Sequence, residues 1–161
     1  MSTDRLNLLP LAVEHAEEMA VVLSDPALHA FIGGTPLTPD ALRTRYERLV
    51  AGSPDPSVSW CNWVLRVRHE WQLVGTVQAT VTAEGVAEIA WVTGTPWQGR
   101  GFGSEAARAL VRWLRDSPVH TVIAHIHPDH AASAAVAEAA GLSPTGETHD
   151  GETHWRLPLR S

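Results

Sequence analysis

Segments with apolar residues at every third or fourth position alternate along the chain with short runs of β-branched and aromatic residues. The first helix-like segment carries Val13, Ala16, Ala20 and Leu23 on one face. Runs rich in valine, tryptophan or threonine and bounded by turn residues predict strands. The pattern thus predicts helices at residues 13–23, 38–51, 104–116 and 131–140, and strands at residues 6–9, 63–68, 73–82, 87–92, 119–126, 145–148 and 154–157.

The order of these elements indicates a mixed α/β sheet. Three strands in quick succession between residues 63 and 92 favour an antiparallel meander. A strand, a helix and a further strand then follow around a glycine-rich segment, which requires at least one parallel pairing. With 161 residues and no internal repeat or linker, residues 1–161 are expected to form a single domain.

Composition narrows the class of protein. Hydrophobic residues make up 44% and charged residues 19%, as in ordinary globular domains, and no apolar run is long enough to cross a bilayer. Residues 1–5 lack the pattern of a signal peptide, and the single Cys61 excludes an internal disulfide, so a cytoplasmic location is expected. The net charge of −6 argues against nucleic-acid binding and favours the approach of cationic substrates such as amines.

The most informative segment is residues 97–104, WQGRGFGS. Gly99, Gly101 and Gly103 let the backbone pass close to a bulky partner. The helix predicted directly behind them would turn unpaired N–H groups and the positive end of its dipole toward that partner. This arrangement suits a phosphate or pyrophosphate, so the segment predicts a phosphorylated cofactor.

Two other interpretations of the segment fit less well. Residues 101–106 match the dinucleotide fingerprint G-x-G-x-x-A, but residues 93–96 separate it from the preceding strand and only about sixty residues follow. A flexible strand–helix connection would explain one glycine, but not three beside Gln98 and Arg100.

The segment and the strand before it resemble a known family. Residues 87–92 and 97–106 together look like the central motif of the GNAT superfamily of acetyl-CoA-dependent N-acetyltransferases. That motif, Gln/Arg-x-x-Gly-x-Gly/Ala, is matched by Gln98, Gly101 and Gly103.

Segments at both ends extend the resemblance over nearly the whole chain. Residues 128–133 (PDHAAS) and 138–142 (EAAGL) resemble the closing patterns of the superfamily. Residues 5–11 (RLNLLPL) are similar to the branch that contains the ribosomal-protein N-terminal acetyltransferases. The resemblance implies a GNAT-like fold of the α/β (α+β) class, with about four helices around a mixed, mostly antiparallel sheet of six to seven strands.

The resemblance also implies a cofactor, acetyl-CoA, and no metal. It assigns the pyrophosphate to the amides of residues 98–104, with Arg100 as an additional cation, and the pantetheine arm to the strand ending near Trp91. There the N–H of Val92 would polarise the thioester carbonyl. The residues expected to bind the cofactor are Trp91, Val92, Thr93, Gln98, Gly99, Arg100, Gly101, Phe102, Gly103, Ser104, His130 and Ser133.

Glu88 is the first candidate catalytic residue. It resembles the glutamate that some family members carry on this strand, ten residues before the loop glutamine. A carboxylate there could take a proton from the amine, directly or through water, and burial beside Ile89 and Trp91 is expected. Alternatively Glu88 faces solvent or only attracts a cationic substrate, and His120 or His127 acts as the base.

The last predicted helix departs from the family pattern. Many members place a tyrosine four residues before the Gly-Phe-like dipeptide to protonate the leaving thiolate, but here that position is Ala137 and the only tyrosine is Tyr46. Ser133 is therefore the second candidate catalytic residue; water could replace it, or the thiolate could leave unaided. His130 stands where the family usually has asparagine.

Other chemistry-bearing residues have plainer interpretations. His125 and His127 share one face of a strand, but no strict ligand spacing with carboxylates supports a metal site. Trp91 and Trp113 are expected in the core. The arginines expected on a solvent-exposed helix face are Arg108, Arg112 and Arg115.

These observations predict an N-acetyltransferase that moves an acetyl group from acetyl-CoA to a primary amine by direct attack in a ternary complex. Because the chain is acidic, a small cationic amine, such as an amino sugar or polyamine-like compound, is the first choice of acceptor. The alternatives are a protein N-terminal (α-amino) acetyltransferase and a non-catalytic acyl-CoA-binding sensor. No nucleic-acid or membrane partner is expected, and a homodimer would be in keeping with the fold.

Overall fold

Seven strands form one sheet in the computed structural model, which describes residues 1–32 and 34–160. The strands lie in the order β1-β2-β3-β4-β5-β7-β6 and are β1 (Leu6–Pro10), β2 (Ser59–Val67), β3 (Leu73–Val81), β4 (Val86–Thr93), β5 (Thr121–Ile126), β6 (Ser143–His149) and β7 (Glu152–Pro158). The helices are α1 (Ala16–Val22), α2 (His29–Ile32), α3 (Pro39–Ala51), α4 (Phe102–Arg115) and α5 (Ala131–Ala139). Apart from the single turn of α2, this is the predicted set of elements, and the predicted mixed, mostly antiparallel sheet is confirmed.

The pairing of β4 with β5 is the feature that shapes the site. It is the only parallel pairing among the described strands, and it joins just residues 86–88 to residues 121–123. Beyond Glu88 the two strands separate, while β4 stays paired with β3 as far as Thr93. The second half of β4 therefore has one open side.

Two helical layers cover the sheet. α1 and α3 pack on one face, where Met19, Leu42 and Tyr46 form a buried cluster with residues of β2 and β3. α4 and α5 pack on the other face, where the buried stripe of α4 includes Leu110 and Leu114. The three arginines of α4 lie on its exposed side, as predicted.

Some local predictions are corrected. Trp113 is not a core residue, because it lies at the flank of α4 with 41% of its surface exposed and only its ring edge against Trp63. Trp91 is half-buried rather than enclosed. β2 begins at Ser59, four positions earlier than predicted, because residues 59–62 pair with residues 78–81 of β3, and such pairing is not visible in local sequence.

In the described part of the chain, no helix has both the length and the apolar character needed to cross a bilayer.

Candidate active site

A cavity of about 480 Å³ opens where α4 begins. Its walls come from the end of β4, the glycine segment, the first turn of α4 and the first turns of α5. All the residues predicted to bind the cofactor line it except Arg100, whose side chain is exposed. We call this space the first cavity.

The start of α4 presents unpaired backbone N–H groups to the first cavity. Gly101 precedes the helix in the left-handed conformation (φ 81°), and its carbonyl accepts the N–H of Glu105 at 3.0 Å. The N–H groups of residues 102–104 consequently have no carbonyl within the helix. A Cβ on Gly103 would lie 3.3 Å from the Val136 side chain and 3.5 Å from Thr93 Oγ1. This close-packed turn fits a pyrophosphate, whose charge the free amides and the helix dipole favour.

Arg5, which the sequence analysis did not single out as a site residue, holds the glycine segment in place. Its Nη1 donates to the carbonyl of Arg100 at 2.7 Å, its guanidinium lies 4.7 Å from the centre of the Phe102 ring, and its Nε is 2.7 Å from Glu105 Oε1. Burial would raise the pKa of Glu105, but the hydrogen bonds from Thr3 and Arg5 outweigh it and hold that pKa below its ordinary value. Arg5 thus joins the start of β1 to the glycine segment. The two lie about a hundred positions apart in sequence, so no local pattern predicts this contact.

The open side of β4 exposes particular backbone groups. Gly85 O accepts the N–H of Thr121 on the β5 side (3.4 Å), and Gly94 N–H donates to Val74 O on the β3 side (2.8 Å). Because strand residues alternate between their two neighbours, Trp91 directs its N–H and C=O toward the gap, whereas Val92 directs its own toward β3. The N–H groups on the gap side are therefore those of Trp91 and, by the same alternation, Thr93, whereas the N–H of Val92, the sequence-based choice, points away from the gap.

A second cavity, of about 580 Å³, lies on the α1 and α3 face of the sheet. It meets the first cavity at Leu28, Trp91 and Val92, which line both. Its wall includes six leucines from α3 and the loops around α1 and α3, together with polar side chains from β2 and β3. Of the described residues that line it, none is an aspartate or glutamate, and Arg45 is the one with a fixed charge. The cation-attracting lining expected from the net charge is absent from this described wall.

Tyr46 lies in the wall of the second cavity. It is only 3% exposed, and its hydroxyl is buried with no hydrogen-bond partner among the described groups. Burial raises the pKa of Tyr46 to about 12, against a smaller opposing effect of Arg45. The tyrosine that seemed remote in sequence is therefore brought by α3 to the wall of the second cavity, as a protonated hydroxyl at neutral pH.

Glu88 lies outside both cavities. Its side chain is 51% exposed, and its Oε1 is 3.2 Å from His125 Nδ1 on β5. The expected burial beside Ile89 and Trp91 is not found, because adjacent strand residues point to opposite faces. Glu88 shares its face with Ala90, which lines the second cavity and follows at about 7 Å along the strand.

The histidines do not form a metal site. The His125 ring lies 5.1 Å from that of His154 and 5.2 Å from that of His149, but nowhere in the described ranges do three or more histidine, cysteine or carboxylate side chains converge on one point. His120 contacts the Glu84 carbonyl (2.7 Å) and Thr121 Oγ1 (2.8 Å) at the far end of β5. Neither it nor His127 lines either of the two cavities.

Ser133 and His130 form a pair on the wall of the first cavity. Ser133 Oγ lies 3.4 Å from His130 Nε2. Burial, and to a smaller extent His127, lower the pKa of His130 and so favour the neutral form of its ring. Ala137 is fully buried in the core behind them.

Comparisons with known proteins agree with this geometry. The profile of the acetyltransferase (GNAT) domain family matches residues 5–143. No curated protein matches the chain. A GNAT-family acetyltransferase from Bacillus anthracis superposes with a TM-score of 0.81 at 20% identity, covering 99% of this chain and 98% of that one.

Two further solved structures carry informative ligands. The aminoglycoside acetyltransferase AAC(6')-Ib, in complex with paromomycin and acetyl-CoA, has a TM-score of 0.78 at 20% identity over 96% of this chain and 94% of its own. RimL, a ribosomal L7/L12 α-N-protein acetyltransferase in complex with coenzyme A, has a TM-score of 0.80 at 15% identity, covering 97% and 95% of the two chains. At these identities the likeness establishes the fold, and the family profile covers most of the sequence. The chain belongs to the acetyltransferase (GNAT) family.

Proposed function

We propose that the protein transfers an acetyl group from acetyl-CoA to a primary amine, which attacks directly from the second cavity. One observation carries the proposal. The two cavities meet at the second half of β4, which is paired with β3 but has no partner on its other side among the described strands. Acetyl-CoA supplies the acetyl group as a reactive thioester. Holding both substrates on either side of one strand would remove much of the entropic cost of bringing them together.

The residues of the first cavity would hold and activate the donor. The amides of residues 102–104 would bind the pyrophosphate, and the free N–H of Trp91 would donate to the acyl carbonyl. Ser133 Oγ, beside the His130 ring, is our candidate to hydrogen-bond the departing sulfur and relay a proton to it from solvent.

Glu88 is proposed as the proton acceptor for the amine, acting through water. Because Glu88 lines neither cavity, we propose that a water carries the proton to it from an amine in the second cavity. His125, at 3.2 Å, would orient the carboxylate and is a positioning residue in this scheme.

The acceptor could belong to more than one class. Net charge favours a small cationic amine, like the aminoglycoside bound by AAC(6')-Ib, whereas the opening segment favours a protein N-terminus, like that acetylated by RimL. The carboxylate-free lining of the second cavity, as far as the chain is described, weighs against the first class. A single domain and a cytoplasmic location are part of this proposal, and a homodimer is in keeping with it.

A panel of primary amines, assayed for release of free thiol from acetyl-CoA, tests the proposed function. We expect turnover with at least one amine, together with saturable binding of acetyl-CoA by calorimetry. Binding without turnover across amino sugars, polyamines, amino acids and N-terminal peptides would contradict it and favour an acyl-CoA-binding sensor.

A further inference from the structure

The second cavity has the lining of a pocket for an apolar molecule rather than a polycation. Buried cationic groups need carboxylates or dense hydrogen bonding to replace their hydration. The described wall offers neither aspartate nor glutamate, and its formal charge is the cation of Arg45. A polyamine or aminoglycoside would lose hydration there and meet a like charge.

Arg45 and Tyr46 indicate what else the acceptor carries. A guanidinium is suited to a carboxylate, which it can bind through two parallel hydrogen bonds. The Tyr46 hydroxyl, at the same wall, is buried without a partner among the described groups, and such a group remains unfavourable until something pairs with it. Because burial raises its pKa to about 12, this hydroxyl is a donor at neutral pH and calls for an acceptor atom on the ligand.

The volume of the second cavity limits the size of the acceptor. A cavity of about 580 Å³ lies within the range that encloses small-molecule ligands. Its leucine-rich wall would bury an apolar side chain, and its junction with the first cavity at Trp91 is where the amine must reach.

We propose that the acceptor is a small amine bearing both a carboxylate and an apolar side chain, the chemistry of a free hydrophobic amino acid, with Arg45 and Tyr46 as its specificity-determining residues. This rests on the proposed function. The carboxylate distinguishes it from a protein N-terminus, whose first residue presents a neutral amide to Arg45.

Four probes separate the classes: phenylalanine, phenylalaninamide, phenethylamine and spermidine. We expect kcat/KM for phenylalanine to exceed each of the others by roughly tenfold or more, about the effect of one charge-assisted contact. Arg45→Gln should remove that preference by lowering kcat/KM for phenylalanine toward the value for phenethylamine. Arg48→Gln is the matched control, because Arg48 is exposed on the same helix, as Arg45 is, but lines neither cavity, and it should behave as wild type.

A binding measurement gives a readout that does not need turnover. N-Acetylphenylalanine should bind the protein by calorimetry, roughly tenfold more weakly to Arg45→Gln and severalfold more weakly to Tyr46→Phe. Thermal unfolding of Tyr46→Phe should occur at or above the melting temperature of wild type, because its hydroxyl has no partner to lose within the described structure and is unfavourable while unpaired.

The outcomes distinguish the two proposals. Equal or better turnover of spermidine, or preference for phenylalaninamide and N-terminal peptides, would overturn the acceptor class while leaving the acetyltransferase proposal standing. Arg45-dependent binding of N-acetylphenylalanine with no turnover of any amine would support the pocket chemistry and overturn the acetyltransferase proposal. Identical behaviour of the Arg45 and Arg48 variants would refute the role of Arg45.

Discussion

Replacing Gly101 by alanine should weaken coenzyme A binding in addition to destabilising the fold. Gly101 has φ 81° and stands immediately before α4. A side chain in this left-handed region costs about 1–2 kcal/mol. The new Cβ would lie 3.2 Å from Arg5 Nη2, so the guanidinium that holds the glycine segment must shift by a few tenths of an ångström.

The two effects of Gly101→Ala have different magnitudes. For a chain of this size, 1 kcal/mol shifts the melting temperature by about 2–4 °C, so the variant should melt roughly 2–8 °C lower. Relief of the strain turns the amides at the start of α4 away from a bound phosphate. Loss of one charge-assisted hydrogen bond, worth about 1.5–3 kcal/mol, should raise the Kd for coenzyme A roughly ten- to a hundredfold.

Gly146→Ala separates strain from binding. Gly146 lies on β6 with φ 86° and, like Gly99, has nothing within 4 Å of the added Cβ, but it lines neither cavity. Calorimetric titration with coenzyme A and thermal unfolding should show similar melting shifts for the two variants and a higher Kd for Gly101→Ala alone. Unchanged affinity in Gly101→Ala, or an equal loss in Gly146→Ala, would refute the phosphate cradle.

Three other substitutions test separate parts of the structure. Glu88→Gln should lower kcat/KM by roughly 10²–10⁴-fold without changing the Kd for coenzyme A. The control Glu138→Gln, which replaces an exposed carboxylate, should keep the wild-type kcat/KM. Wild-type rates in Glu88→Gln would show that Glu88 takes no part in proton transfer. Because the folded pKa of Glu105 lies below its ordinary value, its stabilisation is present above about pH 4.5 and lost as pH falls through the folded pKa. Urea unfolding from pH 5 to pH 3 should therefore show a steeper loss for wild type than for Glu105→Gln, and parallel curves would contradict this. Gly75→Ala would place a Cβ 2.2 Å from the Val92 carbonyl and should lower the free energy of unfolding by about 1–3 kcal/mol, measured in urea; a neutral result would mean that β3 and β4 are not so close.

Local sequence was enough to predict the main elements and to single out the glycine segment that lines the first cavity. The glycines at 99, 101 and 103, the apolar stripe behind them and the strand before them are all encoded within about thirty consecutive residues. Because a loop of this kind binds mainly through its backbone, the right order of elements is enough to form it. This is why the predicted cofactor residues gather around one cavity.

Contacts between distant segments could not be predicted in this way. Arg5 reaches Glu105 only because β1 lies on the sheet beneath α4, and Tyr46 reaches the second cavity only because α3 covers β2 and β3. The prediction that Glu88 is buried was wrong for a different reason. Where β4 separates from β5, the face that carries Glu88 is open to solvent, and a neighbouring tryptophan in sequence lies on the opposite face.

The central claim is that the donor is held between the start of α4 and the open side of β4. Titration of the ¹⁵N-labelled protein with coenzyme A, followed by amide NMR, tests it most directly. The largest shifts should fall on the amides of residues 101–104 and of Trp91, with little change in β6. Unmoved amides at these positions, with the shifts elsewhere, would contradict the account.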